Sequence, residues 1–169
     1  HTERLARAVE KGAASVKHVQ AQSFSVDKID WDALAAADAI IFGSPTYMGS
    51  VTAPFKQFMD GTSKAWKTQA WKNKIAAGFT NSGDYSGDKL NTLVQLTIFA
   101  AQHSMIWVGL DIVPKGDRKH HATVNRLGSF LGAMAQSENG PPDESPPEGD
   151  LKTAEHLGKR VAEIAKKLA

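Results

Sequence analysis

Two short stretches carry residue types able to hold a ligand: Ser44-Pro45-Thr46-Tyr47-Met48-Gly49-Ser50 and Thr80-Asn81-Ser82-Gly83-Asp84-Tyr85-Ser86-Gly87-Asp88. Both are rich in small and hydroxyl-bearing residues, and both can turn backbone N–H groups outward. In the first, the Thr46 hydroxyl can bond a polar ring edge, and Gly49 lets backbone approach closely. Tyr47 and Met48 can cover an aromatic ligand. The same residues also read as an ordinary strand-to-helix connection whose aromatic packs on the core. A third position is His1-Thr2, which opens a helix. Unpaired amides and about half a positive charge collect at such an end, so a phosphate could rest there without a lysine. Thr2 reads equally well as a plain N-cap.

Other chemistries find no support in the spacing. Neither polar loop has the GxxxxGK[ST] pattern, and no GxGxxG precedes a helix. His103 and Asp111 invite an acid–base reading, but no GxSxG elbow supplies a nucleophile. His120 and His121 are adjacent, so they cannot share a helix face, and no carboxylate cluster accompanies them; no metal is expected. There is no cysteine, hence no disulfide frame and no thiol nucleophile. The net charge of +2 is spread along the chain rather than gathered in a stripe, so nucleic acid is not the expected partner. No apolar run reaches the roughly 18 residues that span a bilayer, and a cytoplasmic location is expected.

The elements around these loops follow from hydrophobic period. At 169 residues, 41% hydrophobic and 22% charged, the chain is expected to form one domain over 1–169. Residues 2–15 read as a helix with Leu5, Val9 and Ala13 on one face and Gly12 as a weak point. Residues 16–22 alternate weakly and are read as a strand, and 30–37 as a short helix. The β-branched and aromatic runs at 38–44, 74–80 and 105–110 read as buried strands. Pro54 suits the first turn of a helix that carries Phe55, Phe58, Met59, Thr62 and Trp66 on one face. A second helical face takes Leu90, Leu93, Val94, Thr97 and Ala101 and ends near Gln102. Residues 137–150 read as a Pro-rich loop, with Asp150 as N-cap of a last helix bearing Leu151, Ala154, Leu157, Val161, Ile164 and Leu168.

Strands alternating with helices predict an α/β fold: a doubly wound, mostly parallel sheet with helices on both faces. Ligands of such sheets bind beyond the carboxyl ends of the strands, where all three candidate segments should lie. A helix comes first, however. In a sheet of order 2-1-3-4-5 the central first strand is then missing, so a strand and part of a phosphate loop are expected ahead of His1.

The stretch from Gly43 to Asp60, GSPTYMGSVTAPFKQFMD, resembles the flavodoxin-like NAD(P)H:quinone oxidoreductases of the WrbA type and the wider FMN reductases. Their G-[ST]-P-T-x-x-G motif follows the third strand. HTERLARAVEKGA resembles the helix after their phosphate loop, KIAAGFTNSG their fourth strand and flavin loop, and AAQHSMIWVG their HHGM segment; the last helix matches in pattern only. The resemblance implies one FMN per subunit. Its phosphate would lie at His1 and Thr2. Pro45, Thr46, Tyr47, Met48 and Gly49 would contact the ring and ribityl chain, and Asn81, Ser82, Gly83, Asp84 and Tyr85 would wrap the other side. Gln102 falls where the family has its flavin-facing His, and His103 falls on the second His of that pair. Trp66 sits where a tryptophan from a neighbouring subunit caps the site in a tetramer. Two departures stand out: Tyr47-Met48 replaces an Arg-Phe pair, and the second polar loop replaces a glycine-rich one. The function implied is electron transfer from NADH or NADPH through FMN to a quinone-like acceptor, in a homodimer or homotetramer. The rival is a non-enzymatic, flavodoxin-type electron carrier, although such carriers are usually strongly acidic where they dock on basic partners. A flavodoxin-shaped domain that binds no flavin is the third possibility.

Overall fold

The computed structural model describes residues 1–138, 140–141 and 143–168. In chain order the elements are α1 (Thr2–Ala14), α2 (Trp31–Ala36), β1 (Ala39–Pro45), α3 (Ala53–Gly61), α4 (Ser63–Thr68), β2 (Ile75–Ser82), α5 (Lys89–Gln102), β3 (Ile106–Trp107), β4 (Ala133–Gln136) and α6 (Glu148–Leu168). Every strand pairing is parallel. β1 runs beside β2 from the Ala39–Ile75 pair to the Pro45–Asn81 pair. The other edge of β2 is shared: its first residues pair with β3, and Phe79 to Ser82 pair with β4.

β2 is buried along its whole length, as a central strand covered on both faces must be. Its side chains alternate between two cores. Ile75, Ala77 and Phe79 face α1 and α6, meeting Leu5, Val9, Leu157 and Val161. Ala76 faces the other way, toward Phe42, Phe55, Phe58, Trp71, Leu93, Leu96 and Phe99. Gly12, expected to be a weak point, is a packing position. A Cβ there would stand 1.8 Å from the Glu155 carbonyl oxygen, and a Cβ on Gly158 would stand 1.9 Å from that of Val9. The two glycines let α1 and α6 touch backbone to backbone.

The order 2-1-3-4-5 is not reproduced. Residues 16–22 form no strand: their alternation buries nothing, and no described segment pairs with them. The run at 105–110 is laddered only at Ile106–Trp107, and β4, which was not anticipated, takes the upper half of the same edge. The helix expected to continue to Trp66 breaks at Thr62, whose hydroxyl bonds back to the Met59 carbonyl at 2.6 Å. On α5 the buried face is Lys89, Thr92, Leu93, Leu96, Phe99 and Ala100, while Leu90, Val94 and Ala101 are exposed. Asp150 is no N-cap: α6 starts two residues earlier, and the carboxylate is buried.

Candidate functional site

The ends of β1 and β2 release both polar loops side by side. The first is a tight hairpin: Tyr47 N–H donates to the Ser50 carbonyl at 3.0 Å, and Ser50 N–H returns the bond at 3.1 Å. Its two tip residues have positive φ, Met48 at 49° and Gly49 at 71°. That is the two-residue turn for which glycine is favoured. The turn lifts Tyr47 and Met48 off the core, leaving them 66% and 102% exposed. The reading in which this aromatic packs downward is excluded. Asn91 on α5 steadies the turn by donating to the Gly49 carbonyl at 2.6 Å.

Thr46 behaves otherwise than expected. It is buried, and its hydroxyl lies 2.7 Å from those of both Thr80 and Thr92. Its N–H donates to the Asn81 carbonyl. This side chain ties the loop to β2 and α5, and its hydroxyl is not offered to a ring edge. Pro45 ends β1 half-buried beside Asn81.

The second loop is built from the inside. The carbonyl of Gly83 accepts from Gln136 Nε2 at 2.8 Å. Those of Asp84 and Tyr85 accept from Lys89 Nζ at 2.6 and 2.9 Å, and the same ammonium donates to Ser82 Oγ at 2.7 Å. A trans peptide sets its N–H opposite its C=O. Three inward carbonyls therefore aim the amides of Asp84, Tyr85 and Ser86 outward, and none of the three donates to an acceptor among the described residues. Asn81 is buried, with Oδ1 accepting from Ser137. Tyr85 is 64% exposed, and the Arg126 guanidinium carbon lies 5.8 Å from its ring centre.

Beneath the loop lies a charge pair that sequence reading missed. Arg126 donates to both carboxylate oxygens of Asp150, at 2.8 and 2.9 Å, and both side chains are essentially inaccessible, at 0% and 1%. The Gln136 amide also donates to Asp150. Burial pushes the Asp150 carboxyl up, against the bonds from Arg126 and Gln136 that hold the anion. Burial likewise lowers Lys89, to about 8; Asp150 and Asp84 oppose the shift and Arg126 adds to it. One signal for Lys89 existed: it lies four and seven residues before Leu93 and Leu96, on the buried stripe. Arg126 and Asp150 are 24 residues apart, and nothing local links them.

His1 and Thr2 open α1 on the same side of the sheet. His1 Nε2 lies 3.1 Å from the carbonyl of Gly140, in the segment that follows β4. The His1 carbonyl accepts from the amides of Arg4 and Leu5, so the helix start is formed without a side-chain cap. The remaining candidates lie elsewhere. Gln102, His103 and Trp66 are at the opposite sheet edge, where the Gln69 side chain bonds the carbonyls of Trp66 and Gln102. His103 is 1% exposed, its ring tilted against that of Trp71 with centres 4.4 Å apart, and its Nε2 lies 2.9 Å from Thr62 Oγ1. Burial lowers its pKa. Within this chain it is a core residue. Asp111 pairs with His156 and Arg160 on the surface, away from His103.

The group that would fit is a planar heterocycle with a polar edge and an anionic tail. The outward amides of 84–86 offer donors to the edge, Tyr47, Met48 and Tyr85 offer uncovered faces, and the α1 start offers free amides to an anion. Such loops at the carboxyl edge of an open parallel sheet, with helices on both faces, define an α/β protein of the mononucleotide-binding type. The chain belongs to the NADPH-dependent FMN reductase family, whose model matches residues 1–116. It is 39% identical over 170 residues to flavodoxin FldP of Pseudomonas aeruginosa, covering 99% of this chain and 92% of that one. It is 36% identical over 164 residues to an NAD(P)H dehydrogenase (quinone) of Archaeoglobus fulgidus, covering 96% and 77%. Among solved structures, the WrbA-like flavodoxin from Agrobacterium tumefaciens superposes with a TM-score of 0.71 at 40% identity, covering 99% of this chain and 90% of the other.

Proposed function

We propose that the chain is an FMN-dependent oxidoreductase that uses NADH or NADPH to reduce a quinone-like acceptor, with residues 1–169 acting as one flavin-binding unit. The observation that carries this reading is the pair of loops at the ends of β1 and β2, one with its aromatic tip lifted clear and one with consecutive amides turned out. The chemistry such a cofactor supplies is two-electron transfer between a nicotinamide and a quinone. The chain's own work is to hold and shield it. Tyr47, Met48 and Gly49 cover one side of the ring, and the amides of Asp84, Tyr85 and Ser86 donate to its polar edge. His1 and Thr2 receive the phosphate. No side chain here is required as a general acid.

Self-association fits the same reading. α5 presents Leu90, Val94 and Ile98 to solvent, and its only charged residue, Lys89, is buried. A helix face without charge suits contact with a second copy, as a homodimer or homotetramer. Trp66, half exposed at the far edge, remains available to a neighbour's site. No helix among the described residues is long and apolar enough to cross a membrane; a cytoplasmic location is part of the proposal.

Likeness to a flavodoxin favours the carrier as a second reading. Steady-state oxidation of NADH and NADPH by the FMN-loaded protein, with a soluble benzoquinone, separates the two. Catalytic turnover supports the enzyme. Flavin that is bound but not reduced by either nucleotide supports the carrier.

A further inference from the structure

Lys89 is the one lysine whose whole side chain is buried among the described residues. It lies at the first turn of α5 and reaches back under the loop that precedes it. Its three protons meet three acceptors: Ser82 Oγ, the Asp84 carbonyl and the Tyr85 carbonyl. Ser82 Oγ in turn donates to the Asp84 carbonyl at 3.1 Å. The ammonium is thus saturated by the loop it closes.

We propose that Lys89 is a positioning residue for the flavin: by holding the Asp84 and Tyr85 carbonyls inward, it presets the amides of Tyr85 and Ser86 as donors to the ring edge. The inference rests on the FMN-binding reading above and assigns the device that shapes the loop. A neutral amine has two protons for three acceptors. Deprotonation therefore costs the network a bond, either directly from the amine or by turning the Ser82 hydroxyl away from the Asp84 carbonyl, and loosens the hold on the loop. The charged groups facing Lys89 are Asp84 from its own loop, Arg126 from the segment before β4 and Asp150 from α6; Tyr85 reaches the cluster through Arg126. Burial lowers the amine to about 8, so the loop should lose its preset form within the range where the fold is intact. A ligand that needs the preset form retains the proton and binds less well as pH rises. Lys74, also lowered by burial, donates to the carbonyls of Ala35 and Ala37 at the opposite edge and does not reach the loop.

The test is titration of the apoprotein with FMN and, separately, with riboflavin, by flavin fluorescence at pH 7 and pH 9, with circular dichroism at both. A group with pKa about 8 is roughly nine-tenths neutral at pH 9, so the dissociation constant should rise by about five- to tenfold, and equally for both flavins. Lys89→Met should bind FMN weakly at pH 7 and show no further loss at pH 9. The wild-type profile decides the matter even if that variant fails to fold. A pH-independent dissociation constant overturns the proposal. So does a loss seen with FMN and not with riboflavin, which would put the titrating group at the phosphate. Absence of flavin binding at either pH overturns the functional reading itself, a different result from binding that ignores pH.

Discussion

Asn in place of Asp150 isolates the charge beneath the second loop. The carboxylate accepts three bonds, two from Arg126 and one from the Gln136 amide. The change keeps the shape and removes the charge. It leaves a guanidinium that water does not reach, with Nη1 already lacking a partner among the described residues. Breaking a buried pair by removing one partner costs about 3–5 kcal/mol. For a chain of this length each kcal/mol moves Tm by about 2–4 °C, so Asp150→Asn should lower Tm by roughly 6–20 °C. Urea unfolding followed by circular dichroism measures the free energy directly. Replacing both partners, Arg126→Met with Asp150→Leu, should recover much of the loss, because the guanidinium is no longer left buried without its carboxylate. The single variant should also weaken FMN, since Gln136 and Tyr85 are fixed from this pair. A loss below about 1 kcal/mol for Asp150→Asn would be the figure for an exposed pair, and the buried-charge reasoning would fail.

Thr46→Val removes the middle hydroxyl of a buried trio and should cost about 1–3 kcal/mol in urea unfolding, with FMN affinity little changed; a large affinity loss at full stability would return Thr46 to the ring. Gly49→Ala, at φ 71°, should cost about 1–2 kcal/mol, read by thermal unfolding, and weaken FMN by distorting the turn. His103 is held neutral by burial, so its folded pKa lies below the unfolded one. The unfolded chain then binds the extra proton as pH falls below about 6.5. The stability that His103 contributes is complete above that pH and is lost as pH falls through the folded pKa. Urea unfolding across this range should show the decline, and His103→Phe should lessen it.

Much of the scaffold could be read from composition and period. β1 and β2 are compact apolar runs bounded by turn formers, and each formed within a residue or two of its expected limits. Pro54 lies in the first turn of α3, capped by Thr52. The buried face of α5 could not be read, because the helix is apolar almost all round and carries two stripes that share Leu93. β4 is four residues without β-branching, placed by its neighbour rather than by propensity. At the site, both loops were legible as ligand-facing positions because their residue types serve turns and donors. Their orientation was not, since it depends on Lys89, Gln136 and the Arg126–Asp150 pair, which only the tertiary fold brings together. His103 shows the converse: its chemistry drew attention, and packing against Trp71 and Phe99 decided its place.

Amide-resolved NMR of the protein during addition of FMN tests most directly whether this sheet edge holds the cofactor. Saturable shifts should concentrate at Tyr47, Met48 and Gly49 and at Asp84, Tyr85 and Ser86, with Lys74 and Ser104 at the opposite edge unmoved. Shifts confined to that opposite edge, or none at FMN concentrations that saturate related flavoproteins, would contradict the assignment.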